Sequence, residues 1–120
     1  MWQMNWRVSG PLLAAVLIIA AVALLYERNN AAARGQRDFE RLGCTACHLA
    51  GAGPNLTHIV RRQDPKFIER FIENPPAIYE QRGMRPINEG YTLMPDMHAT
   101  PDDARDIVAY LESLDGQDKQ

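Results

Sequence analysis

The sequence has no excess of basic charge, since 13 lysines and arginines stand against 15 aspartates and glutamates, for a formal net charge of −2. A protein that binds nucleic acid through its phosphates needs a clustered basic surface, so we do not expect a nucleic-acid partner. The chain also lacks length: 120 residues make one small domain at most, without room for a large fold around a deep substrate pocket. A domain of this size is expected to need a non-protein core for stability.

Alternating apolar and polar residues, the pattern typical of half-buried strands, are also missing. Helical patterns take their place, and we predict an all-α protein. The helices are predicted at about residues 31–42, 65–74 and 101–114. Asp64 and Thr100, each followed by proline, are N-cap signals for the second and third of these helices. About 25 residues after Asn74 show no periodicity and are predicted to form a loop.

One long apolar run lies near the N-terminus, where residues 8–26 carry no charge. As a helix this run would span about 28 Å, close to the roughly 30 Å hydrocarbon core of a bilayer. We therefore predict a transmembrane anchor with its linker over residues 1–30 and a second domain over residues 31–120. A cleaved secretory signal peptide, ending at the alanines of residues 31–33, is the alternative.

The chain has only two cysteines, and they occur in the sequence C-T-A-C-H. Thiols at this spacing can add to the two vinyl groups of one haem, and the adjacent histidine then reaches the iron from the same side. We predict one covalent haem c, bound through Cys44 and Cys47, with His48 as an iron ligand. A thioredoxin-type disulfide would need a βαβ setting, and a zinc site would need two further ligands, for which His58 and His98 lack a recognisable spacing.

A methionine is the expected second ligand of the iron. Met94 lies just before the last predicted helix and directly before Pro95. Its thioether is a soft, neutral ligand that favours reduced iron and raises the potential, which suits an electron carrier. The proline restricts the backbone and limits how far the sulfur can move from the iron. The alternatives are Met84, Met97 and His98.

These residues resemble the class I c-type cytochromes, over about residues 33–114. The resemblance rests on C-T-A-C-H with the following G-A-G-P-N-L, on the Met-Pro pair, and on the terminal helix D-D-A-R-D-I-V-A-Y-L-E-S-L. It implies a small helical domain wrapped around the haem, in which the first and last helices cross where a small residue meets an aromatic one. The residues that match this crossing are Gly35, Phe39 and Tyr110.

The resemblance also implies roles around the haem. Pro54 matches the family proline whose carbonyl accepts the ring N–H of the ligand histidine, and Leu56 matches the neighbouring haem-packing residue. The chain is most similar to the cytochrome c domains attached to terminal oxidases and related respiratory complexes. One departure is the stretch of residues 79–91, which is longer and more polar than expected and is interpreted as a partner-binding or insertion loop.

Covalent haem attachment requires export, so we expect the haem domain on the periplasmic side of a bacterial cytoplasmic membrane, held by a single-pass anchor. The arginines at 28, 34, 37 and 41 conflict with this orientation, because positive charge usually follows the cytoplasmic end of a span. The expected function is single-electron transfer from a quinol-oxidising complex to a terminal oxidase or reductase, without a small-molecule substrate. A haem enzyme or a sensor of peroxide or gas is the alternative if Met94 does not bind the iron.

Three further residues have weaker interpretations. His58 is expected to be a hydrogen-bonded surface or haem-edge histidine. Arg61 and Arg62 are candidates for pairing with the haem propionates.

Charge is unevenly distributed, with eight basic and four acidic residues over 28–72 and two basic and seven acidic residues over 96–120. This asymmetry is a candidate for steering a redox partner.

Overall fold

The computed structural model describes residues 6–48, 53–83 and 93–117, with side chains from residue 10 onward. Within these ranges all regular secondary structure is helical and no strand is present, as the sequence predicted. The helices are α1 (Trp6–Arg41), α2 (Thr45–His48), α3 (Ile59–Arg62), α4 (Pro65–Glu73), α5 (Pro75–Gln81) and α6 (Pro101–Gln117).

The chain divides into two compact units, Met1–Asn30 and Ala31–Gln120. In the first unit the large apolar side chains from Leu12 to Tyr26 are exposed, at 60% or more of their surface. Helix α1 is long and apolar enough to cross a membrane, a property that N-terminal signal sequences share.

The second unit has one core, built mainly where α4 packs on α6. Ile68 and Ile72 lie four residues apart in α4 and therefore share a face of that helix. Helix α6 has an apolar face, since four of its residues are buried at 4% exposure or less. The buried apolar residues are Phe39, Cys44, Ile68, Ile72, Ala99, Ala104, Ile107, Val108 and Leu111.

Both predicted N-caps are confirmed. The Asp64 carboxylate accepts hydrogen bonds from the backbone N–H groups of Lys66 and Phe67 at the start of α4. At the start of α6, the Thr100 N–H donates to the Asp103 carboxylate at 2.8 Å, and the Asp103 N–H donates to the Thr100 hydroxyl at 3.1 Å. This reciprocal pair is a capping box, and the bond from Thr100 holds the pKa of Asp103 below its usual value.

Two predicted boundaries differ from the structure. The helix expected at residues 31–42 is the last part of the longer helix α1. The stretch after Asn74 is not a loop from its start, because Asn74 ends α4 and its side chain also caps α5, accepting from Ala77 N–H at 3.2 Å. Proline at the first position of a helix lacks only an N–H that would have no partner there. Pro75 and Pro76 therefore begin α5 as well as following the end of α4.

Helices α1 and α6 approach closely within the second unit. A Cβ atom at Gly35 would overlap the carbonyl of Asp106 and lie 2.9 Å from the nitrogen of Ile107. One turn further along, the rings of Phe39 and Tyr110 meet edge-on with centroids 5.6 Å apart. The crossing that the resemblance implies is present. Its contacts differ from the implied one, because Gly35 meets the backbone of α6 rather than an aromatic ring, and Tyr110 packs on Phe39.

Ion pairs join the same two helices. Arg34 pairs with Asp106 at 2.7 Å, and Arg41 pairs with Asp103 at 2.8 Å. Arg41 also pairs with Asp38 of its own helix at 3.0 Å. Each pair is partly exposed and contributes little free energy individually. The asymmetry of charge along the sequence is thus partly neutralised inside the domain.

We expect Gly35→Ala to destabilise the domain by about 1–3 kcal/mol, because the added methyl group must displace rigid backbone rather than a flexible side chain. Denaturant unfolding of the haem-loaded protein measures this change. Gly116→Ala is the matched control, since nothing lies within 4 Å of a Cβ at that helical position. Equal unfolding free energies for the two variants would contradict the close approach at Gly35.

We expect Asp103→Asn to lower the unfolding free energy by about 0.5–1 kcal/mol near neutral pH, because the side chain loses its charge-assisted bonds from the Thr100 N–H and from Arg41. The folded-state pKa of Asp103 is depressed, so its contribution is present above the unfolded pKa of about 4 and is lost as the pH falls through the lower, folded value. Unfolding free energies of the two proteins should therefore converge in acid. Asp102→Asn is the control, because Asp102 is exposed and bonds only Arg105 of its own helix among the described contacts. If the difference in unfolding free energy between the wild type and Asp103→Asn persisted unchanged in acid, this account would be wrong.

Candidate haem-binding site

The C-x-x-C-H motif lies at the turn that follows α1. Gly43 has a φ of +80°, a left-handed conformation suited to glycine, and it ends the helix. The Cys44 N–H then donates to the carbonyl of Phe39 at 3.0 Å. The two cysteines lie in different environments, since Cys44 is buried and Cys47 is exposed.

The imidazole of His48 is oriented by the loop that follows the motif. The carbonyl oxygen of Pro54 lies 2.9 Å from Nδ1 of His48. Because a carbonyl can only accept, Nδ1 carries the proton and Nε2 has a lone pair available for a metal. Gly53 lies against the same ring, and a Cβ there would be 3.2 Å from Nδ1. The absence of a side chain at Gly53 thus lets the chain pass close to the imidazole, a role the sequence analysis did not assign.

The second unit contains a cavity of about 260 Å³ on the core side of the motif. Five of the six predicted site residues line it together, namely Cys44, His48, Pro54, Leu56 and Met94. Cys47 is not among the lining residues. The other residues that line the cavity are Phe39, Leu42, Ile59, Gln63, Phe67, Ile68, Phe71, Ile72, Arg82, Met97, Ala99, Ile107 and Leu111.

The donor set of this cavity fits an iron porphyrin. Its wall is mainly aliphatic and aromatic, as an apolar macrocycle requires, and it holds one imidazole with a lone pair and two thioether sulfurs. Among the described residues no cluster of three or more His, Cys, Asp or Glu side chains is found, so a zinc site lacks its ligands in this part of the chain.

Two candidates for the second iron ligand line the cavity and one does not. Met94 and Met97 both line the cavity. The Met97 methyl carbon lies beside Gly43, 3.7 Å from the position of a Cβ there. His98 is excluded from the cavity, with a side chain that is 88% exposed and 3.7 Å from Asp96. Met84 lies outside the described residues, as do all residues from 84 to 91 of the expected insertion loop.

The arginines proposed for the propionates do not reach the cavity. Arg61 pairs with Asp115, and Arg62 donates to the carbonyl of Asn55 at 3.2 Å. Arg82 lines the cavity instead, with its guanidinium carbon 4.6 Å from the centroid of the Phe67 ring. The sequence offered no signal for Arg82, because it directly follows α5, a helix that was not predicted. His58 is hydrogen-bonded as expected, with Nδ1 3.0 Å from the carboxylate of Asp115.

A family model described as cytochrome c matches residues 32–115, which is more than half of the chain. The chain belongs to the cytochrome c family. No curated protein and no solved structure matches it. The cytochrome c domain implies covalently bound haem c, and proteins of this family generally carry electrons rather than catalyse reactions.

Proposed function

We propose that this cytochrome is a membrane-anchored monohaem electron carrier that serves a respiratory membrane complex as donor or subunit. The observation that carries the proposal is the convergence of Cys44, the oriented imidazole of His48 and the thioether of Met94 on one apolar cavity. The haem supplies a one-electron couple when it is bound. Cys44, Cys47, His48 and Met94 would hold this group, and the apolar cavity would give it a low-dielectric surrounding.

Each of these residues has a distinct task in the proposal. Cys44 and Cys47 would hold the porphyrin covalently, one thiol from the cavity wall and the other from the exposed side. His48 would bind the iron through Nε2, because Pro54 keeps the proton on Nδ1 and makes the ring a stronger ligand. Met94 would take the opposite position and raise the potential.

If His48 and Met94 both bind the iron, no position would be left for a substrate, and the apolar side chains of the cavity would keep water away. Electron transfer then needs no general acid or base. The matching donor is a quinol-oxidising complex and the matching acceptor is a terminal oxidase or reductase. The exposed apolar length of α1 supports a membrane tether, which raises the concentration of the haem domain near such membrane partners. The proposed location is the periplasmic side of the cytoplasmic membrane.

We expect Met94→Ala to abolish the iron–methionine charge-transfer band of the oxidised protein, to lower its reduction potential and to let the reduced protein bind carbon monoxide. Met97→Ala is the matched control, because Met97 lines the same cavity and the substitution likewise removes one thioether from it. It is expected to keep the band and the low response to carbon monoxide. Optical spectra and a redox titration of both variants measure these outcomes.

If Met97→Ala removed the band and Met94→Ala preserved it, the ligand would be Met97 and the assignment would be wrong. A wild-type protein that binds carbon monoxide at once would have an open iron position. That result would replace the carrier by a haem enzyme or a gas or peroxide sensor.

We expect the mature protein to keep its apolar run and to stay in the membrane fraction after alkaline carbonate washing, because a span of this length is retained by the bilayer. A variant beginning at residue 31 behind a cleavable leader should keep its haem and become soluble. Intact mass of the purified protein decides the alternative. A mass that begins near residues 31–33 would identify the apolar run as a signal peptide.

A further inference from the structure

Residues 93–100, which connect to α6, form neither helix nor strand in the described chain. Side chains supply hydrogen bonds to their backbone instead. The Asp96 carboxylate accepts from His98 N–H at 2.7 Å, and the Asp103 carboxylate accepts from Thr100 N–H at 2.8 Å. At the start of the segment, the hydroxyl of Tyr79 accepts from the N–H of Met94 at 3.1 Å.

The bond from Tyr79 acts on the residue that carries the ligand sulfur. Pro95 has no N–H, so the donor of Met94 is the one backbone donor of the Met-Pro pair. Both Met94 and Tyr79 are half-buried. Losing the hydrogen-bond partner of a half-buried amide costs more free energy than losing that of a solvent-exposed amide, because water replaces the partner incompletely.

Tyr79 is itself held by a rigid part of the domain. Its ring meets Phe71 edge-on with centroids 5.4 Å apart, and Phe71 in turn lies 6.1 Å from Phe67. Both phenylalanines belong to α4, which packs on α6, and both line the cavity. The hydroxyl therefore links the Met94 backbone to the helix that forms one wall of the cavity.

From these contacts we infer that Tyr79 is a positioning residue for the iron ligand, and that its hydroxyl keeps the Met94 sulfur on the iron by fixing the Met94 amide. This inference rests on the proposed function, in which Met94 is the ligand. Tyr79 does not touch the reacting atoms. It shifts the balance between a state with the sulfur bound and a state with the segment moved away, and only the second state admits another ligand.

The test uses the full-length, haem-loaded protein in detergent and imidazole as the competing ligand. Tyr79→Phe removes the acceptor and keeps the ring that packs on Phe71. We expect the affinity of the oxidised protein for imidazole, followed through loss of the iron–methionine band, to rise by about tenfold, the size expected for one lost hydrogen bond to a half-buried amide.

Tyr110→Phe is the matched control. Tyr110 is another half-buried tyrosine in edge contact with a phenylalanine, but it packs on Phe39 at the crossing of α1 and α6. We expect its imidazole affinity to equal that of the wild type. Denaturant unfolding of both variants separates a change in ligand positioning from a general loss of stability.

A Tyr79→Phe variant with wild-type imidazole affinity would overturn the inference, whether or not its unfolding midpoint falls. Met94→Ala distinguishes this failure from failure of the proposed function. If Met94→Ala abolishes the band while Tyr79→Phe behaves like Tyr110→Phe, Met94 is the ligand and only the role of Tyr79 is wrong. If Met94→Ala leaves the band intact, the proposed ligand set itself is wrong.

Discussion

The close approach of α1 and α6 at Gly35 is the constraint on which the rest of the haem domain depends. It brings Phe39 and Tyr110 into edge contact and places the end of α1 against the apolar face of α6. The motif begins directly after that end, so the same crossing positions Cys44 and His48 at the cavity. Helix α4 packs on the same α6 and supplies further wall residues, which makes α6 the common support of the site.

The core and the proposed haem site are largely the same set of side chains. Phe39, Ile68, Ile72, Ile107 and Leu111 are buried core residues that also line the cavity. A domain this small buries little apolar surface by itself. Binding of the haem therefore adds stability as well as function, since a group bound only by the folded state favours that state.

Two of the four arginines that follow the apolar run have a structural role independent of membrane topology. Arg34 and Arg41 pair with carboxylates of α6 where the two helices cross. Their presence on the proposed periplasmic side, which conflicts with the usual distribution of positive charge, thus has a reason inside the folded domain. The same pairing leaves less of the charge asymmetry available for steering a partner.

Local features of this protein were determined by the sequence alone. The C-x-x-C-H motif, the caps at Asp64 and Thr100 and the apolar face of α6 each involve residues within a few positions of one another, where spacing dictates geometry. Only the tertiary structure decided that Arg82 rather than Arg61 or Arg62 reaches the cavity, that His98 does not, and that Tyr79 holds the Met94 amide. These contacts join residues from separate elements, so they depend on where α5 begins and how α4, α5 and α6 pack, which no local periodicity encodes.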